Sequence, residues 1–249
     1  MCLPSQFSST PVLAGLHTIL AGRSHCADVI ARFDAYSSEA KSSNEFTFAA
    51  GWRRSSKVVH LTRIYTRTGD GGQTSLGDMS KTSKLDTRLL AYADVDEANS
   101  QIGFAIALGG LDADVVDVLR QVQNEMFDVG ADLCCPVAKD PAHPPLRIEP
   151  DYIRRLERWC DHYNAQLPDL RSFILRGGAP SAAAVHIACT VTRRAERSAW
   201  AAIQDHGPTM NVLTAKYLNR LSDLLFVLAR YANRDLGDVL WEPGGERST

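Results

Sequence analysis

Residues 181–204 read SAAAVHIACTVTRRAERSAWAAIQ, an alanine-rich run whose composition favours a long helix over a strand. The basic pentapeptide RRAER interrupts its apolar pattern. At about 100° per residue, Arg193, Glu196 and Arg197 share one face of such a helix, and Arg194 lies about a quarter turn round. Guanidinium groups at this density can bind phosphate oxygens in bidentate pairs. A solvated helix face with internal ion pairs is the alternative interpretation.

Four other segments have apolar residues at helical spacing and are joined by short connections. They cover 86–108, 112–133, 150–167 and 214–233, and Asp112 is of a residue type typical of N-caps. No alternating strand pattern of useful length appears. We therefore predict an all-α protein, a five-helix bundle with ferritin-like up-and-down packing.

The bulk composition limits the classes of ligand. The 249-residue chain is 45% hydrophobic and 22% charged, which is typical of a globular protein with a buried core. Its net charge of -2 at pH 7 provides no general attraction to nucleic acid or to an anionic membrane. No apolar run approaches the ~20 residues of a membrane span. We predict no nucleic acid and no membrane as partners, and a small phosphorylated ligand for the basic pentapeptide.

The N-terminal part differs in texture from the rest. Residues 1–58 are Ser-rich without a sustained helical or strand period, so we predict a disordered extension there. A folded domain is expected over 59–240 and a C-terminal tail over 241–249. The extension resembles neither a signal peptide nor a transit peptide, and the six cysteines form no CxxC pair. We expect a cytoplasmic protein without a zinc site or a disulfide framework.

Residues 66–75 read TRTGDGGQTS and form the second candidate for anion binding. Its glycines let backbone N–H groups approach a ligand, and its hydroxyls add donors. The segment lacks the lysine of a P-loop, so an ordinary surface turn is the alternative. A third candidate is the segment YLNRLSD at 217–223, where Asn219 and Asp223 lie four residues apart on one helix face.

Five motifs follow one another along the chain, and each is weak by itself. They are IYTRTGDGGQTSLGD at 64–78, DVDEANSQIG at 94–103, the FIL-GG segment at 173–178 with His186 after it, RRAER at 193–197 and YLNRLSD at 217–223. Their joint order and spacing are specific. In these motifs the chain resembles the PduO-type ATP:cob(I)alamin adenosyltransferases over residues 60–235.

The resemblance implies an enzyme that transfers the 5′-deoxyadenosyl group of ATP to the cobalt of cob(I)alamin and releases triphosphate. It implies a homotrimer of five-helix subunits that binds ATP, magnesium and cobalamin at the subunit interfaces. A flavin-dependent reductase and an adenosylcobalamin-dependent acceptor enzyme are the further partners that we expect. No protein nucleophile is required, because Co(I) is itself a strong nucleophile.

Matching the motifs residue by residue implies a nucleotide-binding set. It comprises Thr66, Arg67, Thr68, Gly69, Thr74, Ser75, Lys84, Arg193, Arg194, Glu196, Arg197 and Asn219. The resemblance also implies that Arg193, Arg194 and Lys84 stabilise charge developing on the leaving triphosphate.

Two further roles come from the same resemblance. Glu196 and Asn219 are the expected neighbours of the magnesium ion. Phe173 matches the aromatic residue that displaces the lower axial ligand of the corrinoid, which makes Co(II) easier to reduce. Phe173 is therefore expected to act in catalysis.

Two positions depart from the family pattern. Arg176 stands where the family usually has proline, and Cys189 stands where it has an arginine that pairs across the subunit interface with the residue matching Asp96. Losing one member of a buried ion pair costs about 3–5 kcal/mol. We therefore expect slower adenosylation, and higher activity or trimer stability in Cys189→Arg.

The departures leave two other functions open. One is a corrinoid-binding or delivery protein whose turnover is impaired by Cys189, and the other is a helical ATP-binding regulator without a corrinoid. A di-iron bundle is disfavoured, because none of the predicted helices carries a Glu-x-x-His pair.

Overall fold

The computed structural model describes residues 65, 67–141 and 144–244. The predicted extension over 1–58 and the predicted nucleotide ligand Thr66 lie outside these residues. The described part contains five α-helices, two three-residue strands and one 3-10 turn at Gly207–Thr209. The strands are β1 (Gln73–Ser75) and β2 (Lys81–Ser83), and the helices are α1 (Thr87–Ala107), α2 (Ala113–Cys134), α3 (Pro150–Asn164), α4 (Pro180–His206) and α5 (Val212–Ala232).

Local chemistry explains where the helices begin. The Asp86 side chain accepts a hydrogen bond from the backbone of Arg88 and caps α1. Helices α3 and α4 begin with proline. Proline lacks a backbone N–H group, but the N–H of a first helical residue has no partner within the helix, so nothing is lost. Asp112 is the N-cap residue of α2, as predicted, but its side chain caps nothing and accepts a hydrogen bond from Arg234 at 2.8 Å instead.

The helices alternate in direction along the chain, which confirms the predicted five-helix up-and-down bundle. Asp86 lies beside His206 and Glu97 beside Arg194, so α1 and α4 are antiparallel. Contacts between α4 and α5 also run in opposite sequence directions, whereas α3 and α5 are parallel. One end of the bundle therefore carries the N-terminus of α1 and the C-terminus of α4, and we call it the hairpin end. The opposite end is called the Phe173 end.

Alanine lines the inward faces of α4, and this lets α1 and α5 approach it closely. The fully buried alanines of this helix are Ala182, Ala188, Ala195, Ala199 and Ala202. Leucine and tyrosine side chains of α5 belong to the same core cluster as these alanines. Because small residues face larger ones, the core is dense without bulky side chains on the central helix.

The Thr/Gly-rich segment forms a β-hairpin, which corrects the expectation of a strand-free chain. Strands β1 and β2 are antiparallel, with Thr74 opposite Thr82. Leu76 N–H donates to the Ser80 carbonyl and closes the turn between them. The pattern was missed because strands of three residues are too short to show an alternation of apolar and polar side chains. The hairpin runs directly into the N-cap of α1.

Arg88 anchors the hairpin end from the inside. Its side chain is 1% exposed, and it donates to the Leu133 carbonyl and the Thr209 hydroxyl, each at 2.9 Å. It thereby joins the start of α1, the end of α2 and the turn after α4. Burial lowers the pKa of Arg88 from its ordinary value.

A buried polar network joins α2, α3 and α5 away from the predicted ligand residues. Glu125 accepts hydrogen bonds from the Tyr217 hydroxyl at 2.9 Å and from Arg155 Nε at 2.7 Å. Asp128 accepts from the Tyr152 hydroxyl at 3.0 Å. Burial raises the pKa of both carboxyl groups, and that of Asp128 reaches about 6.

Asp128→Asn is expected to change how stability depends on pH. Because the pKa of Asp128 lies above its ordinary value of 3.8, the folded protein binds this proton more tightly than the unfolded chain. The free energy of unfolding therefore falls as pH rises from about 4 to about 6, and the loss persists at higher pH. Thermal melts should show the Asp128→Asn variant gaining stability over wild type at pH 7.5 but not at pH 4. Asp117→Asn, on an exposed site of the same helix, is the control, and an equal gain there would contradict the assignment.

Candidate functional site

The middle of α4 and the facing part of α5 present a mixed cluster of charged and polar groups. Arg193 and Arg197 are exposed on α4. Between them, Glu196 Oε1 accepts from Asn219 Nδ2 at 3.2 Å and from Trp200 Nε1 at 3.3 Å. Four of the predicted ligand residues therefore lie together. The supporting role of Trp200 was not predicted, although its i,i+4 spacing from Glu196 is visible in the sequence.

Helix α5 also supports the first arginine of this cluster. Arg193 Nε lies 3.5 Å from the Ser222 hydroxyl, and Arg197 Nη1 donates to the Arg193 carbonyl at 3.2 Å. Both guanidinium groups keep N–H donors directed to solvent, since they are exposed. The cluster can bind an anion with several oxygens, and Glu196 remains as its one carboxylate.

Arg194 is held by the neighbouring helix and stands apart from the other arginines. It forms an ion pair with Glu97 and lies 3.5 Å from Asp94 Oδ1 on α1. The Ser198 hydroxyl also donates to Asp94. The acidic residues of α1 thus bind the α4 face that carries Arg194. This face differs from that of Arg193 and Arg197, as the quarter-turn offset in the sequence predicted. A direct role of Arg194 in binding phosphate stays a prediction.

The hairpin forms a second cluster. A Cβ atom on Gly69 would lie 2.9 Å from Lys84 Nζ, so the glycine leaves room for this ammonium group. Arg67 adopts a left-handed backbone conformation, with φ of 62°, in the turn before Gly69. For a residue other than glycine this costs of the order of 1–2 kcal/mol, and such strain often marks a ligand site. Thr68 is exposed beside it.

Two of the predicted hairpin ligands are buried within the subunit. Thr74 is 6% exposed and Ser75 is 1% exposed. Their contribution to a nucleotide site therefore stays a prediction, whereas the predicted ligands Arg67, Thr68 and Lys84 are exposed.

Within one chain the hairpin and the arginine cluster lie at different levels of the bundle. The hairpin leads into Asp86, whose carboxylate lies 2.8 Å from His206 Nε2 at the C-terminal end of α4. About 20 Å of helix separates His206 from Arg193, at a rise of about 1.5 Å per residue. The two clusters of one subunit therefore lie at different levels of the bundle.

Phe173 lies in the segment between α3 and α4, at the opposite end of the bundle. Its side chain is 79% exposed, and its nearest aromatic neighbour is Trp241, with ring centroids 6.1 Å apart. The Trp241 N–H donates to the Phe173 carbonyl at 2.7 Å. The chain thus pairs with this segment up to Trp241, one residue beyond the predicted domain boundary. Phe173 lies with Leu175, Val239 and Trp241 in a group of exposed apolar side chains, and such a patch indicates a ligand or partner surface.

Arg176 and His186 have structural partners at this end. Arg176 Nη1 donates to the His186 carbonyl at 3.3 Å, which directs the guanidinium along α4. His186 is buried beside Phe226, and burial lowers its pKa to about 4. His186 is therefore a neutral core residue at physiological pH.

Cys189 is sealed inside the subunit, which corrects the interface position implied by the resemblance. Its side chain is fully buried, and its thiol donates to the Ser222 carbonyl on α5 at 3.2 Å. Asp96 is exposed on α1.

Cys189→Arg is accordingly expected to destabilise the protein, the reverse of the effect expected from the sequence. Overpacking alone costs about 1–3 kcal/mol, and a guanidinium without a partner adds to this. Urea unfolding should show a lower midpoint for the Cys189→Arg variant than for wild type. Thr190→Arg is the matched control, because Thr190 is the next residue and is exposed. A higher midpoint or a higher activity for Cys189→Arg would restore the interface interpretation.

Neither a metal cluster nor a membrane-spanning helix occurs among the described residues. They contain no group of three or more His, Cys, Asp or Glu side chains that could hold a metal ion. No helix in the same residues is long and apolar enough to cross a membrane. A cation at the arginine cluster would therefore need ligand oxygens from another molecule in addition to Glu196.

The fold and the two clusters define a helical bundle with exposed basic groups suited to an anionic ligand, and without a P-loop. The family model described as cobalamin adenosyltransferase matches residues 64–232. The corrinoid adenosyltransferase of Mycobacterium tuberculosis is 64% identical over 191 residues, which cover 77% of this chain and 98% of that protein. That of Bacillus subtilis is 40% identical over 185 residues, covering 72% of this chain and 92% of that protein. This chain belongs to the cobalamin adenosyltransferase family.

A solved structure is similar over the same region. A variant of the PduO-type ATP:corrinoid adenosyltransferase from Lactobacillus reuteri, complexed with cobalamin and ATP, has a TM-score of 0.67 and 35% identity. The match covers 73% of this chain and all (100%) of that one. The similarity confirms the resemblance seen in the motifs.

Proposed function

We infer that this chain transfers the 5′-deoxyadenosyl group of ATP to the cobalt of a reduced corrinoid. An electron pair of Co(I) forms the cobalt–carbon bond at C5′, the C5′–O bond breaks, and triphosphate leaves with the electrons of that bond. The observation that carries this proposal is the pair of exposed guanidinium groups, Arg193 and Arg197, around Glu196 and Asn219. A leaving group with several phosphates needs such fixed positive charge.

We propose that the complete site forms between two subunits of a homotrimer. About 20 Å of helix separates Arg193 from His206, beside which the hairpin enters α1, so we expect that one subunit does not bring both clusters to one triphosphate. A cyclic trimer brings the hairpin of one subunit to the α4 face of the next in every interface. Arg67, Gly69 and Lys84 would then complete the site begun by Arg193.

We propose magnesium as the metal that accompanies ATP. Glu196 uses Oε1 for Asn219 and Trp200, and among the described residues no hydrogen bond reaches Oε2. One free carboxylate oxygen suits Mg²⁺, which is usually held by one or two carboxylates together with substrate phosphates. The ion would neutralise charge on the leaving triphosphate. Asn219 keeps the Glu196 carboxylate in place.

Phe173 is the residue that we assign to the corrinoid. Its exposed ring at the Phe173 end can occupy the lower face of the macrocycle and exclude the axial ligand there.

The remaining assignments stay predictions. We keep residues 1–58 as an extension and 59–240 as the adenosyltransferase domain, with the tail contact of Trp241 added to it. A flavin-dependent reductase, an adenosylcobalamin-dependent acceptor enzyme and a cytoplasmic location are expected, as the resemblance and the sequence suggested.

The decisive experiment mixes the full chain with ATP, Mg²⁺ and chemically reduced cobalamin. Adenosylcobalamin and triphosphate should appear in equal amounts, measured by absorbance and chromatography. A change in the cobalamin spectrum without product would favour the corrinoid-binding alternative. ATP binding without any change in the cobalamin spectrum would favour the ATP-binding regulator. Either result would refute the proposed reaction.

A further inference from the structure

The segment that carries Phe173 has little structure of its own. Between the end of α3 and the start of α4 it contains one isolated bridge, in which Ile174 pairs with Leu240 of the tail. Phe173 and Leu175 are 79% and 55% exposed, so the packing of their side chains does not fix the segment. Its position must come from hydrogen bonds made to its backbone.

The last turn of α5 provides these bonds through two buried side chains. Arg230 Nη2 donates to the Pro168 carbonyl at 2.8 Å, before Phe173. Asn233 Nδ2 donates to the Gly177 carbonyl at 2.7 Å, and its Oδ1 accepts from the Ala179 N–H at 2.9 Å. The segment is therefore held on both sides of Phe173 from one helix end.

Gly178 shows how closely the turn fits Asn233. Its φ is +95°, and a Cβ atom there would lie 2.2–2.5 Å from the Asn233 amide group. The backbone passes directly over this side chain. A shift of Asn233 would therefore move the turn.

Arg230 also holds the C-terminal segment that pairs with the Phe173 segment. Its Nε donates to Asp238 at 2.8 Å, and the arginine is 3% exposed in this ion pair. Beyond Asp238, the Val239 carbonyl accepts from the Leu175 N–H, and the Trp241 N–H donates to the Phe173 carbonyl. The Arg230 guanidinium thus holds both segments of the chain that meet at Phe173.

We propose that Arg230 and Asn233 are positioning residues for the corrinoid half of the reaction. They touch neither substrate, and they set the height and direction of Phe173 through the backbone. This inference rests on the proposed function, because it assigns the Phe173 ring to the corrinoid. A misplacement of about 1 Å in such a group can cost about 100-fold in rate.

The test compares Asn233→Ala with Asn99→Ala in the full chain. Asn99 is the matched control, since it is also buried and donates to a backbone carbonyl, that of Gln123, far from Phe173. For Asn233→Ala we expect faster hydrogen exchange at the Leu175 and Ala179 amides and a kcat about 10- to 100-fold lower. The fraction of bound cob(II)alamin that has lost its lower ligand, measured by EPR, should fall, while the affinity for ATP stays unchanged.

Two conservative variants sharpen the result. Asn233→Asp keeps the acceptor for the Ala179 N–H but turns a carboxylate oxygen toward the Gly177 carbonyl, so it should lose activity as Asn233→Ala does. Asp238→Asn loosens the tail without emptying space in the core, and it should lower the same EPR fraction.

Three outcomes decide between the explanations. Unchanged exchange and an unchanged EPR fraction in Asn233→Ala would overturn the positioning role. An equal loss in Asn99→Ala at a similar loss of Tm would reduce it to general stability, which also overturns it. If wild type makes no adenosylcobalamin, the proposed function fails, and the exchange rates still decide whether Asn233 holds the segment.

Discussion

Arg193→Ala is expected to lower kcat about 10²–10³-fold and to leave Tm nearly unchanged. The loss is large because Arg193 would contact the triphosphate as negative charge develops on it. Stability should persist, since Arg193 is exposed and its contact with the Ser222 hydroxyl is long, at 3.5 Å. Adenosylcobalamin formation at saturating ATP and thermal melts measure the two effects.

Two further variants show whether charge or geometry matters at this position. Arg193→Lys keeps the charge but loses the bidentate donors, so its activity should fall between those of Arg193→Ala and wild type. Arg154→Ala is the matched control, because Arg154 is an exposed helix arginine that pairs with Asp151 on α3. If Arg193→Ala stayed within about twofold of wild type and Arg154→Ala did the same, the cluster would not be the triphosphate site.

Mixing two inactive variants is expected to restore activity if the site is shared between subunits. Lys84→Ala removes the hairpin half, and Arg193→Ala removes the α4 half. In a trimer assembled at random from both chains, about one quarter of the interfaces combine an intact hairpin with an intact arginine cluster. Co-expression of the two variant chains should therefore recover up to about a quarter of the wild-type rate, from nearly none.

The control for this mixture pairs the Lys84→Ala chain with the double variant that carries both substitutions. Every interface in that mixture lacks an intact hairpin, so no recovery is expected. Absence of recovery in the first mixture, with exchange of subunits shown by mass spectrometry, would place the whole site within one subunit. The proposed composite site would then be wrong.

The helices could be predicted well because their signal is local. The apolar spacing over 86–108 and 214–233 matches α1 and α5 within about two residues, and Asp86 and the two prolines set the starts. The largest deviation at a helix end is in α3, which ends at Asn164, whereas the prediction extended it to Leu167. Helix ends fray, so errors of this size are ordinary.

Side-chain partners were predicted less well, because they depend on which face a neighbouring helix covers. Asp112 has the sequence position of a cap but pairs with Arg234, far away in the chain. Arg194 belongs to the same basic run as Arg193 and is bound by Glu97 of α1. Cys189 was assigned to an interface and lies in the core. Periodicity within one helix contains no information on these neighbours.

The sequence showed two anion-binding candidates, the basic run RRAER and the Thr/Gly-rich segment over 66–75, and their order with the other motifs identified the family. Each depends only on residue types at fixed local spacing. Only the tertiary structure decided that Glu196 and Asn219 meet beside Arg193 and that the hairpin enters α1 next to His206, about 20 Å of helix from Arg193, because α1 packs antiparallel to α4. It also decided that the end of α5 holds the Phe173 segment, since those hydrogen bonds join residues more than 50 positions apart.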